Sequence, residues 1–136
     1  MLDASVGVKW FAARGEDGLK QAMDIRARSL PGDVQIVVPD LFYYEVSNAL
    51  VHKKSIPVQE VALAMGDLFS LGLQDALCGP ELMVRSVNLA RELNITVYDA
   101  CYAAVAIKHS CPLVTANPKY QGRALGCQVI PLDDWR

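Results

Sequence analysis

The 136-residue chain has only two histidines and four cysteines, and no two cysteines form a C-x-x-C pair. Cys78, Cys101, Cys111 and Cys127 are scattered, which argues against a zinc cage or a disulfide framework and suits a reduced, cytoplasmic compartment. Cys101 and Cys127 read as small core residues in apolar surroundings. His52 and His109 fall where helices should end, and neither has a partner at ligand spacing. No apolar run approaches the roughly 18 residues of a membrane helix, so no membrane association is expected. The start, MLDASVGVKWF, lacks a basic segment ahead of an apolar one, so no signal peptide is expected. The net charge of −2 excludes the global positive field of a DNA-reading domain, and a nucleic-acid substrate would need a local basic patch. Also missing are a Ser-His-Asp arrangement, a Walker loop, a G-x-G-x-x-G loop, internal repeats and linkers.

What is present is apolar and alternating. With 52% hydrophobic and 21% charged residues, the chain is expected to fold as one core-rich domain over residues 1–136. Met1-Leu2-Asp3 reads as the end of a short first strand, and Ser5 as the cap of a helix over Val6–Ala13. Gly15 to Gly18 is a turn. Helices follow over Leu19–Ser29, Leu41–Lys54, Val58–Leu71 and Glu81–Leu93, with strands at Gln35–Pro39 and, weakly, Gly72–Leu77. Ile95–Tyr98 reads as a buried strand, Ala100–Lys108 as an alanine-rich helix, and Leu113–Thr115 as another buried strand. A short helix over Pro118–Leu125, a stop at Gly126 and a strand over Cys127–Pro131 complete the chain. This alternation predicts a parallel sheet covered by helices on both faces.

Four polar residues then stand out. Asp3 and Asp99 each follow a predicted strand, where an acid can cap a helix or line the ligand-binding edge of an open α/β sheet. Glu45 projects from an apolar helix face, with Leu41, Phe42 and Ala49 one turn away. Asn117, before Pro118, is an ordinary helix start on its own and functional only in company. If these residues converge on one sheet edge, the clustered carboxylates need a shared cation, and oxygen ligands select Mg²⁺ or Mn²⁺. Such a centre can activate water and stabilise charge on a phosphodiester.

Three blocks, D-A-S-V-G-V-K-W-F from Asp3, V-P-D-L-F-Y-Y-E-V-S-N-A-L from Val38 and Y-D-A-C-Y-A-A-V-A-I-K…P-L-V-T-A-N-P-K-Y from Tyr98, resemble the PIN-domain family, and within it the VapC-type toxin ribonucleases. The blocks span nearly the whole chain in the family's order. The resemblance implies a three-layer α/β/α fold around a parallel sheet of about five strands. It also implies a metal-dependent endoribonuclease of single-stranded RNA, a homodimer, and a VapB-type antitoxin partner. Carried across by motif, Asp3, Glu45 and Asp99 are the metal-binding acids; Asn117 stands where many members have a fourth acid, and Thr115 matches a hydroxyl position beside the site. Ser5 is a further candidate beside it. The two-residue stub before Asp3 is shorter than the family's usual first strand. Lys9, Lys53, Lys54, Lys119 and Arg123 are candidates for holding the RNA backbone. The competing reading is a PIN-fold module that binds its partner or RNA without cutting. A response-regulator-like fold is disfavoured by the single acid in D-A-S, and a D-x-D phosphatase by Ser5 in the same stretch.

Overall fold

A computed structural model describes residues 1–11, 17–120 and 124–136. Six α-helices and four three-residue strands are present among them: α1 (Ala4–Gly7), α2 (Leu19–Ser29), β1 (Val37–Pro39), α3 (Leu41–Val51), α4 (Val58–Ser70), β2 (Gln74–Ala76), α5 (Pro80–Leu93), α6 (Val97–Lys108), β3 (Leu113–Thr115) and β4 (Val129–Pro131). No helix among the described residues is long and apolar enough to cross a membrane.

The strands form two parallel pairs, β1 with β2 and β3 with β4, rather than one continuous five-stranded sheet. The N-terminal segment lies between the pairs. Leu2 donates to the Val37 carbonyl at 3.1 Å, Asp3 donates to Val114 at 3.0 Å, and Met1 accepts from Val114 at 3.0 Å. Among the described residues this segment makes an isolated parallel bridge, Leu2 with Val114. Both β1 and β3 are buried throughout, as strands covered on both faces should be.

Local chemistry explains the helix boundaries, including three that differ from expectation. Ile95–Tyr98 is not a strand. Asn94, at φ 50°, turns the chain out of α5 and Thr96 caps α6, its hydroxyl accepting the Asp99 N–H at 3.1 Å. That cap, followed by an alanine-rich run, outweighs the β-branched character of Ile95, Thr96 and Val97. Asp99 therefore sits in the first turn of a helix and not at a strand end. At the N-terminus Asp3, not Ser5, is the cap, and α1 tightens into a 3₁₀ turn over Val8–Trp10; the end of the helix expected to reach Ala13, and the Gly15 end of the turn, lie outside the described residues. Directly after β3 the described residues form the 3₁₀ turn Pro118–Tyr120, and the stretch 121–123 of the longer helix expected there is likewise outside them.

The core explains why these elements stay together. Ala100 and the run Tyr102–Ala106 are all buried, so α6 has almost no wet face, and its alanines let it lie close to β1, β3 and α5. The spacing Leu82, Ser86, Ala90 is the buried stripe of α5, while the apolar Val84 and Val87 are exposed. Phe42 on α3 is fully buried and meets Trp10 edge-on at 6.4 Å. Gly7, in α1, lies against the Cζ edge of that ring, leaving no room there for a Cβ, and this lets α1 pack closely on α3.

Candidate functional site

Asp3, Glu45 and Asp99 come from three elements. Asp3 ends the N-terminal segment; its Oδ1 accepts the Ser5 N–H at 2.7 Å, and the residue is only 5% exposed. Glu45, midway along α3, is half-buried and accepts a hydrogen bond from the Tyr102 hydroxyl on α6. Asp99 Oδ1 accepts from two donors, the Lys119 ammonium at 2.5 Å and the Tyr120 hydroxyl at 3.1 Å.

A second strand of hydrogen bonds links the start of α1 to the end of β3. The Ser5 and Thr115 hydroxyl oxygens stand 3.5 Å apart, Ser5 Oγ accepts the Ala116 N–H at 3.0 Å, and Thr115 Oγ1 accepts the Asn117 N–H at 3.0 Å. Ser5, freed from capping α1, therefore fastens the edge on which Asp3 sits. Asn117 Oδ1 accepts the Lys119 N–H at 3.1 Å, so its carboxamide holds the turn that presents Lys119 to Asp99.

The carboxylates feel one another. Burial pushes the Glu45 carboxyl up; the Tyr102 hydrogen bond offsets part of this, but the negative charges of Asp3 and Asp99 add to the rise. Burial likewise raises Asp3, despite hydrogen bonds from Ser5 and Thr115 and the positive charge of Lys119. At Asp99 burial also pulls upward, but the hydrogen bonds from Lys119 and Thr96, the Lys119 charge and the Tyr120 hydroxyl together hold it below the usual carboxylate range. Burial, reinforced by the neighbouring acids, pushes Tyr102 and Tyr120 far above an ordinary phenol, so both remain protonated donors.

Three acids of this kind fit a hard divalent cation in charge and donor type. They do not form a ready-made cage: among the described residues no three of His, Cys, Asp or Glu stand together as a ligand group. Carboxylate oxygens at Glu45 and Asp99 are instead occupied by Tyr102, Tyr120 and Lys119. An open recess of about 410 Å³ borders Asp99, lined by Asn94, Ile95, Thr96, Lys119 and Tyr120.

The basic residues are dispersed. Lys9 is buried in the 3₁₀ turn after α1, where it offers no open cationic surface. Lys53 is half-buried and Lys54 exposed beyond the end of α3. Lys119 is part-exposed and engaged with Asp99, and Arg123 lies outside the described residues. Tyr102 and Tyr120 were not legible as site residues, although Tyr102 lies one turn from Asp99 on α6, a spacing that puts both on one face.

Removing the Tyr102 hydroxyl tests this arrangement. Tyr102→Phe leaves Glu45 without its donor, so the Glu45 pKa should rise further in a ¹³C NMR titration. Stability at neutral pH should fall by about 1–3 kcal/mol, the cost of an unsatisfied buried acceptor. An unchanged Glu45 titration would show that the contact contributes nothing.

A family model described as PIN domain matches residues 1–124. Among solved structures, a chain titled "Toxin-antitoxin complex from Klebsiella pneumoniae" superposes with a TM-score of 0.69 at 20% identity, covering 96% of this chain and 95% of that one. At that identity the likeness speaks for the fold. No curated protein matches the sequence.

Proposed function

The chain belongs to the PIN-domain family, and from that membership we propose that it is a Mg²⁺- or Mn²⁺-dependent endoribonuclease of single-stranded RNA, the toxin of a VapBC-type pair. PIN domains are generally nucleases. The observation that supports the metal-dependent reading is the Glu45 carboxyl, which burial raises first and the charges of Asp3 and Asp99 raise further. A carboxylate whose charge two neighbouring acids disfavour is stabilised by a shared cation.

In this reading Asp3, Glu45 and Asp99 hold the metal. A divalent cation bound there supplies Lewis acidity toward a phosphodiester and lowers the pKa of a water. The chain's own residues do the rest. Tyr102 and Tyr120 stay protonated and orient the Glu45 and Asp99 carboxylates. Ser5 and Thr115 fix the edge that carries Asp3, and Asn117 shapes the turn, with its NH₂ end as the donor that would orient a water. Of the candidate backbone-binding lysines, Lys54 and Lys119 are exposed and able to meet RNA phosphates. A VapB-type antitoxin partner belongs to the same proposal, supported by the toxin-antitoxin title of the structural neighbour; a homodimer and a cytoplasmic setting are proposed with it from the family resemblance alone.

The test is cleavage of single-stranded RNA by the wild type, by the wild type with EDTA, and by Asp99→Asn. Activity in the first and loss in the other two is expected, and equal activity in all three sinks the assignment. The occupied oxygens of Glu45 and Asp99 favour one rival, a PIN-fold module that binds RNA or a partner without cutting. Calorimetry separates them, because no binding up to millimolar Mn²⁺ would support the module.

A further inference from the structure

Lys119 is the residue whose position the carboxylates alone do not explain. Its ammonium lies 2.5 Å from Asp99 Oδ1 and 5.2 Å from the centre of the Tyr120 ring. Its backbone is fixed by the Asn117 cap, whereas its side chain is 44% exposed, against 15% for Asp99. The stem can therefore turn into solvent without disturbing the core.

We propose that Lys119 is the internal counter-ion of the carboxylate site and is displaced from Asp99 when a divalent metal binds. The inference rests on the metal-dependent reading above. Its physical content is competition. Without metal, the ammonium relieves repulsion that would otherwise open the site. With metal, the same ammonium must leave Asp99, so the free energy of the Lys119–Asp99 pair is subtracted from metal affinity. Lys119 thereby sets the metal concentration at which the site fills, and its release frees an ammonium beside the recess next to Asp99, where a phosphate backbone would run.

Mn²⁺ titrated calorimetrically into the metal-free full chain provides the test, comparing wild type with Lys119→Met, Lys119→Arg and Lys108→Met. Lys108 is exposed at the opposite end of α6 from Asp99, so its variant makes the same change in net charge away from the site. Lys119→Met should bind about tenfold tighter, equivalent to about 1.4 kcal/mol. Lys119→Arg and Lys108→Met should stay within about twofold of wild type, or about 0.4 kcal/mol. In thermal melts Lys119→Met should unfold below the wild type without metal and gain more from saturating Mn²⁺. Equal or weaker binding by Lys119→Met, or a gain matched by Lys108→Met, overturns the counter-ion role and leaves the metal reading standing. No binding by any of the four proteins overturns both.

Discussion

Asp3→Asn should lower RNA cleavage by about 100-fold or more, as loss of a metal-site ligand does, and at the same time make the metal-free protein more stable at pH 7.5. The two effects share one cause. Asp3 is buried, and burial raises its pKa above the ordinary value of 3.8 despite its hydrogen bonds and the charge of Lys119. An acid whose pKa is higher folded than unfolded favours the native state when protonated. Its penalty is absent below pH 3.8, grows as pH climbs from there through the raised native value, and is complete above it. Asparagine removes the charge yet still caps α1 through its side-chain oxygen, preserving the bond from Ser5. The metal-free variant should therefore melt above the wild type at pH 7.5. The gap should close as melts are repeated toward pH 4, and saturating Mn²⁺ should reverse the order by stabilising only the wild type. A variant that is inactive but less stable at pH 7.5 would show that Asp3 supports the fold. An active variant would remove it from the site.

Asp99 has the opposite sign. Its pKa is lowered, so the Lys119–Asp99 pair contributes stability that is present above the unfolded-state pKa and is lost as pH falls through the native one. The carboxylates of one site thus pull stability in opposite directions with pH. Burial dominates at Asp3 and Glu45, whereas at Asp99 the donors around the carboxylate, Lys119 first among them, together outweigh it.

The buried elements were the readable ones. Leu113-Val114-Thr115 is a run of apolar and β-branched residues with no alternative use, and β3 falls where that pattern puts it. Leu19–Ser29 matches α2 to the residue, and α3 and α5 start within one residue of expectation because Asp40 and Gly79-Pro80 are strong boundary signals. Ile95–Tyr98 misled for a physical reason: four residues give a β-branched pattern no length over which to outweigh a threonine cap three positions before an acid. Asp3, Glu45 and Asp99 could be singled out because carboxylates on apolar segments demand a reason. Their partners could not. A tyrosine in an alanine-rich helix reads as packing, and only the crossing of α6 with α3 brings the Tyr102 hydroxyl to Glu45. Lys119 read as a surface cation for RNA, and the turn held by Asn117 carries it to Asp99 instead.

Phe42→Ala should be the most destabilising single core substitution in the region of the site, lowering stability by about 3–5 kcal/mol and Tm by about 10 °C or more. The ring is fully buried on α3, makes edge-on contacts with Trp10 and Tyr43, and lies against Gly7. Gly7 has ordinary helical angles, φ −59° and ψ −37°, so nothing in its backbone requires glycine. What requires it is space: a Cβ there would stand 2.5 Å from Phe42 Cζ and 3.1 Å from Val46 Cγ2. Gly7→Ala alone should therefore cost about 1–3 kcal/mol through overpacking. In the Phe42→Ala background the main clash is gone, and replacing glycine within a helix returns about 0.5–1 kcal/mol. The same substitution should then be close to neutral, leaving Val46 as the remaining crowding. Denaturant melts of the two single variants and the double variant measure this coupling directly. A large non-additivity means that the ring and the glycine together set how α1 sits on α3, and so where Asp3 stands relative to Glu45. Additive costs would mean that the two helices are held apart by other contacts, and the spacing of the acids would then have to come from the Ser5–Thr115 edge.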